Sequence, residues 1–185
     1  MINFTGLSHI NIVVNNINEG IKYYKKIFSA TPLQELANFK NIGFAKSAWL
    51  IKNPETVNAS IVFLQIPNTN IAIELMEYHS PARINEKKTD DSTQQIGNVG
   101  HIALKVNNIE EAFLYLKSCN DVTLISNNPQ YKPYKIDTIT PNEFKFFDST
   151  LEQNKQAKQR VRNIVSQIKY FYFVDKYGIQ WELEQ

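Results

Sequence analysis

Between residues 9 and 14 the chain alternates, with Ile10, Ile12 and Val14 on one side and His9, Asn11 and Val13 on the other, the period-two pattern of a strand. Two residues suited to turns and helix caps follow, Asn15 and Asn16. Then Ile17, Ile21, Tyr24 and Phe28 recur at spacings of four, three and four, the apolar stripe of an amphipathic helix. Ninety-two residues later the pattern returns: Ile102, Leu104 and Val106 face away from His101, Ala103 and Lys105, Asn107 and Asn108 follow, and Ile109, Phe113 and Leu116 repeat the stripe. Laid over one another, residues 7–26 and 99–118 are identical at nine of twenty positions. Ordinary residue usage gives about one or two such identities by chance. The chain is a duplication.

Each copy also closes with a strand. Asn68, Thr69 and Asn70 suit a turn before residues 71–78, and Gly178 marks the turn before residues 179–185. Aligning Glu74 with Glu182 needs an offset of 108, so the second copy is longer by 16 residues. Further strand candidates are residues 43–51 and 59–66 in the first copy and 170–174 in the second. The unit reads β-α-β-β-β, written twice, over residues 5–78 and 99–185, which makes the fold class α+β. Residues 79–98 are polar and turn-rich and read as a linker. Residues 127–168 fall outside the repeat: a stretch with three prolines reads as loop, and the following segment, with Val161, Ile164, Val165 and Ile168 at helical spacing, as a helix. This insertion reads as a packing extra rather than a substrate lid.

Composition narrows the partners. The 185 residues are 43% hydrophobic and 21% charged, the balance of a globular chain, and a net charge of +2 is too weak to draw nucleic acid or an acidic membrane. No apolar run approaches the ~20 residues of a membrane helix, and residues 1–15 lack the features of a secretion leader, so the expected location is the cytoplasm. Cys119 is the single cysteine, which excludes an internal disulfide and a thiolate-cluster metal site. A Gly-rich phosphate loop, a GxSxG elbow and a CxxC pair are all missing.

Two of the three histidines, His9 and His101, stand at matched places in the repeat, as do Glu74 and Glu182 in the closing strands. A carboxylate set within Ile-Glu-Leu or Trp-Glu-Leu is costly to bury unless it is paired or binds a metal. Two imidazoles and two carboxylates without thiolate suit a divalent ion such as Zn, Ni, Co, Fe or Mn.

The segments SHINIVV, AIELMEY, GHIALKV and QWELEQ, in that order, resemble the vicinal oxygen chelate superfamily, which includes glyoxalase I, methylmalonyl-CoA epimerase, extradiol dioxygenases and the fosfomycin- and bleomycin-resistance proteins. The resemblance covers most of the chain apart from residues 79–98 and 127–168. It implies paired βαβββ modules whose mixed sheets form a cup around one metal, with His9, Glu74, His101 and Glu182 as ligands. The implied chemistry is chelation of the vicinal oxygens of a small-molecule substrate and stabilisation of an enolate, as in a glyoxalase- or epimerase-like lyase or isomerase, with Glu182 as general base and Glu74 sharing that role. Glu74 stands where the fosfomycin-resistance group has His. Val13 and Tyr78 stand where bacterial glyoxalase I usually has Arg and Asn, which disfavours a glutathione-derived substrate.

Two other readings stay open: an Fe(II) extradiol-type dioxygenase, whose two-His, one-carboxylate site a fourth protein ligand crowds, and a drug- or metabolite-binding protein without turnover. Lys105, on the face of His101, is a candidate contact for an anionic substrate, and Tyr78 and Met76 are candidates to line the cup. His79, beside Pro81, reads as a surface histidine, and the basic run Lys155, Lys158, Arg160 and Arg162 as a solvated helix face. One chain can close the cup alone or pair each module with its counterpart in a homodimer, and the ligand set is the same in both.

Overall fold

A computed structural model of the chain describes residues 6–47, 53–81, 99–135 and 139–185. It divides into two compact units, Met1–Lys87 and Lys88–Gln185. Most of the expected linker, residues 82–98, lies outside the described residues. Among the described residues no helix is long and apolar enough to cross a membrane.

The first unit runs β1 (Ile10–Val13), α1 (Ile17–Phe28), β2 (Thr31–Phe39), α2 (Ile42–Ser47), a 3-10 turn (Pro54–Thr56), β3 (Asn58–Gln65) and β4 (Ala72–Ser80). The sheet order is β1-β4-β3-β2, with β1 parallel to β4 and the other pairs antiparallel. The alternation seen in the sequence sorts the faces. Ile73 and Leu75 are fully buried on the side where α1 packs on β3 and β4, and α1 itself buries Tyr23, Tyr24 and Ile27. Asn16 caps α1 by accepting the Glu19 N–H at 3.0 Å. The opposite sheet face carries a second cluster, Ala59, Ile61 and Met76, against which Leu36, Phe39, Phe44, Phe63 and Tyr78 pack.

Two local expectations change. Residues 43–47, expected as part of a strand, are helical, and the remainder, 48–51, lies outside the described residues. Asn41 explains the switch: its side-chain oxygen accepts the Phe44 N–H at 2.8 Å and its carbonyl accepts the Ala45 N–H at 3.0 Å, which starts a helix and turns Phe44 onto the apolar cluster. The strand that completes the sheet is β2, which has no alternation to read because nearly every position is exposed. It is an edge strand, so Pro32 is tolerated, and its register is broken between Pro32 and Gln34 and between Leu36 and Phe39. Asn38, with φ 50°, sits in the second irregularity.

The second unit runs β5 (Ile102–Lys105), α3 (Ile109–Lys117), β6 (Thr123–Leu124), β7 (Tyr134–Lys135), α4 (Ser149–Gln153), α5 (Lys155–Val165), β8 (Lys169–Val174) and β9 (Gln180–Glu184). Its order is β5-β9-β8-β6, with β7 also pairing with β8. Two pairings of the first unit recur: β5 is parallel to β9 as β1 is to β4, and β9 is antiparallel to β8 as β4 is to β3. Where the first unit has the continuous β2, the second has the short pieces β6 and β7, and the hydroxyl of Tyr131 fills the gap between them. It accepts the Tyr172 N–H at 2.9 Å and donates to the Tyr172 carbonyl at 3.3 Å, standing in for a missing strand residue. Phe113 of α3 meets Phe171 edge-on at 5.1 Å, and Trp181 is fully buried on the same side of the sheet.

The repeat extends to the helix entrances. Glu77 accepts the Ile17 N–H at 2.8 Å, and Gln185, its equivalent at the offset of 108, accepts the Ile109 N–H at 3.0 Å. Each closing strand therefore anchors the start of the helix in its own unit.

Candidate metal centre

His9 lies one residue before β1, and β1 runs parallel to β4 with Asn11 opposite Glu74. His101 lies one residue before β5, with Ala103 opposite Glu182 on β9. A parallel register of this kind sets the histidine one step ahead of the carboxylate on the same sheet face. His9 Nε2 is 3.2 Å from Glu74 Oε2, and His101 Nε2 is 3.0 Å from Glu182 Oε2. The carboxylate side chains are 13% and 12% exposed and the histidines 36% and 42%, so each pair has a sunken acid under a more accessible ring. Such burial is costly for a lone carboxylate and is offset by a close partner.

The surroundings of the two pairs match in outline. Phe63, opposite Glu74 on β3, meets the His9 ring edge-on at 5.5 Å. Tyr172, opposite Glu182 on β8, meets the His101 ring edge-on at 5.3 Å. Asn11 Nδ2 donates to Glu74 Oε2 at 2.8 Å. In the second unit burial, and then hydrogen bonding with the Glu182 carboxylate, push the Tyr172 phenol up to about 12. The Ser8 hydroxyl is 3.1 Å from His9 Nδ1, which occupies one ring nitrogen and leaves Nε2 toward the acid.

The donor set fits a divalent ion. Two donors each ~2.1 Å from one ion and at right angles stand about 3 Å apart, the separation within both pairs. Both supply imidazole nitrogen and carboxylate oxygen, the mixed set that takes Zn, Ni, Co, Fe or Mn. Among the described residues no group of three or more His, Cys, Asp or Glu side chains is gathered to hold a metal ion; each unit brings together one histidine and one carboxylate.

The other singled-out residues fall as follows. Met76 and Tyr78 share the Glu74 face; Met76 is 6% exposed within the apolar cluster, and burial, then the Glu74 charge, push the Tyr78 phenol up. Lys105 is on the His101 face, its side chain 87% exposed and 3.8 Å from Glu184. His79 lies on the opposite face from Glu74, its Nε2 2.8 Å from Ser60 Oγ and its Nδ1 3.7 Å from Glu77. The basic run is not one solvated face. Lys158 donates to the carbonyls of Pro141 and Phe144 at 3.1 Å each and pairs with Glu152 at 2.6 Å, while Arg162 Nε donates to the Ile139 carbonyl at 3.1 Å. These two cations, four residues apart, fasten the preceding loop onto α5; Lys155 and Arg160 stay exposed.

Asn11, Phe63 and Tyr172 were not among the residues singled out from the sequence. Asn11 was within reach, two positions after His9 on the same face. Phe63 and Tyr172 depend on cross-strand register, which no local pattern carries.

A family model described as the Glyoxalase/Bleomycin resistance protein/Dioxygenase superfamily matches residues 6–133. Among solved structures, a glyoxalase family protein from Bacillus cereus is similar, with a TM-score of 0.61 at 16% identity, covering 98% of this chain and 94% of that one. A glyoxylase/bleomycin resistance protein/dioxygenase domain from Frankia sp. has a TM-score of 0.55 at 10% identity, covering 98% of each chain. The fosfomycin resistance protein FosX from Listeria monocytogenes, complexed with Mn(II) and sulfate, has a TM-score of 0.50 at 16% identity, covering 98% of this chain and 93% of that one. Among curated proteins, none matches. At these identities the likeness to the solved structures is one of fold, and together with the family match over most of the chain it leads to one conclusion: the protein belongs to the glyoxalase/bleomycin resistance protein/dioxygenase superfamily.

Proposed function

We propose that the protein is a divalent-metal enzyme of the glyoxalase or epimerase type, a lyase or isomerase acting on a small molecule with vicinal oxygens. The observation that carries this reading is the recurrence of one histidine–carboxylate pair, at 3.2 Å and 3.0 Å, at equivalent positions of a duplicated unit. Packing alone gives no reason to keep a sunken acid beside a histidine twice.

In this reading His9, Glu74, His101 and Glu182 are the ligands of one ion, either within one chain or across a homodimer. The bound ion supplies the positive charge that stabilises negative charge developing on the substrate oxygens. Glu182 accepts the proton from the carbon beside those oxygens and returns it to the neighbouring carbon, with Glu74 able to share the task. Met76 and Tyr78 provide an apolar wall beside Glu74 that keeps water from the reacting carbon. The exposed ammonium of Lys105 meets an anionic substituent of the substrate. Mn(II) in the fold relative FosX supports the inclusion of manganese among the candidate ions.

Metal analysis of reconstituted protein tests the assignment. One equivalent of ion in the wild type, lost in His9→Ala and Glu182→Gln, is the expected result; a metal-free wild type after reconstitution overturns it. Solvent deuterium entering a substrate carbon without oxygen consumption separates proton transfer from dioxygenase chemistry.

A further inference from the structure

The two half-sites differ by a reciprocal exchange. Glu74 is flanked in register by Asn11 on β1 and Phe63 on β3, whereas Glu182 is flanked by Ala103 on β5 and Tyr172 on β8. Each carboxylate thus has one hydrogen-bond donor among its two cross-strand neighbours, but on opposite sides. For Glu74 the donor is the Asn11 amide at 2.8 Å, and the donor-bearing side chain directly opposite Glu182 is Tyr172. The ring contacts are shared: Phe63 on His9 and Tyr172 on His101 have centroids 5.5 Å and 5.3 Å apart, with interplanar angles of 76° and 67°. Packing against the histidine therefore requires only the ring. The hydroxyl is the addition, and it occurs in the half where position 103 offers a methyl group instead of an amide.

The last torsion of a glutamate is broad, so a carboxylate on a sheet face does not hold a fixed plane without a donor. Partners of this kind set the orientation of ligating groups and with it their affinity for an ion. We propose that Tyr172 is a positioning residue that holds Glu182 in its ligating orientation, the counterpart of Asn11 at Glu74. The inference rests on the four-ligand reading given above. It goes beyond that reading by assigning the two residues that orient the acids, and by making the two devices interchangeable.

Mn(II) titration, with the dissociation constant obtained by competition against a chromophoric chelator, provides the test. Tyr172→Phe keeps the ring and removes only the hydroxyl; it is expected to weaken Mn(II) binding ~10- to 100-fold. Adding Ala103→Asn to Tyr172→Phe rebuilds the first unit's arrangement in the second and is expected to restore most of the loss. A purely structural role for the ring predicts unchanged affinity in Tyr172→Phe, and that result overturns the inference, as does a double variant no tighter than Tyr172→Phe. The two failures are separable. A wild type that binds no Mn(II) removes the four-ligand reading and this inference with it, whereas one equivalent in the wild type, absent in His101→Ala but unaltered in Tyr172→Phe, removes this inference alone.

Discussion

Two buried acids of the second unit show how differently a carboxylate is justified. Asp175 is 4% exposed and is used by its own turn: one oxygen accepts the Tyr177 and Ile179 N–H groups at 2.9 Å and 3.0 Å, and the other accepts the Trp181 indole N–H at 2.9 Å. The turn closes through Gly178, whose φ of 81° suits glycine. Removing the acid strands buried donors, so Asp175→Ala is expected to cost about 3 kcal/mol, measured as a lower urea midpoint. Glu182 is 9% exposed, with His101 at 3.0 Å and Tyr172 opposite it in register; in the proposed centre these groups serve binding rather than folding. The amide keeps the shape of the acid, removes the cost of burying its charge, and leaves behind a histidine whose side chain is 42% exposed to water. Glu182→Gln is accordingly expected to unfold within ~1 kcal/mol of the wild type, while losing the ion. A large loss of stability in Glu182→Gln and none in Asp175→Ala would reverse the two assignments.

At the scale of elements, the helices are held at their ends. Asn16 and Asn108 cap α1 and α3 in the same way, each accepting the N–H three residues on, at 3.0 Å and 3.1 Å. Asn16→Ala and Asn108→Ala are each expected to cost about 1 kcal/mol in thermal or urea unfolding. The α4–α5 pair depends on charge. Lys158 bonding, then the Phe146 N–H, hold the Glu152 carboxyl below the usual carboxylate range. A depressed folded value means that the contribution is fully present above the ordinary carboxylate pKa and is lost as pH falls through the lower folded value. Acidification below that range is therefore expected to release the Phe146 amide while neutral pH keeps it, followed by the amide's NMR shift. Lys158→Ala is expected to speed amide exchange across residues 139–146 at neutral pH, and Lys155→Ala, on the exposed side, to leave it unchanged.

For the whole molecule the decisive quantity is the link between metal and stability. An ion that binds only the folded chain stabilises it by about 2.7 kcal/mol at a hundredfold excess over the dissociation constant. Removal of divalent metal by a chelator is expected to lower the melting temperature by several degrees, with recovery on adding metal back. In His9→Ala the melting temperature is expected to be the same with and without chelator. A wild type whose melting temperature ignores both chelator and added metal contradicts the proposed centre.

The duplication was plain in the chain itself because nine shared positions span a strand, a turn and a helix, and strong local periodicity survives whatever the rest of the fold does. So were the outward histidines and the acids in apolar strands, since alternation assigns faces without tertiary information. The edge strand β2 and the helix α2 were hidden: the first has no buried face to imprint a pattern, and the second is started by one side-chain bond from Asn41. The same holds for Lys158 and Arg162, whose carbonyl partners lie 14 to 23 residues away in the chain. Which residues stand beside each acid is a matter of strand register, set by backbone pairing between segments far apart in sequence. The amino-acid order alone determined which groups are available for chemistry; pairing across the sheets decided that Asn11 stands beside Glu74 and Tyr172 beside Glu182.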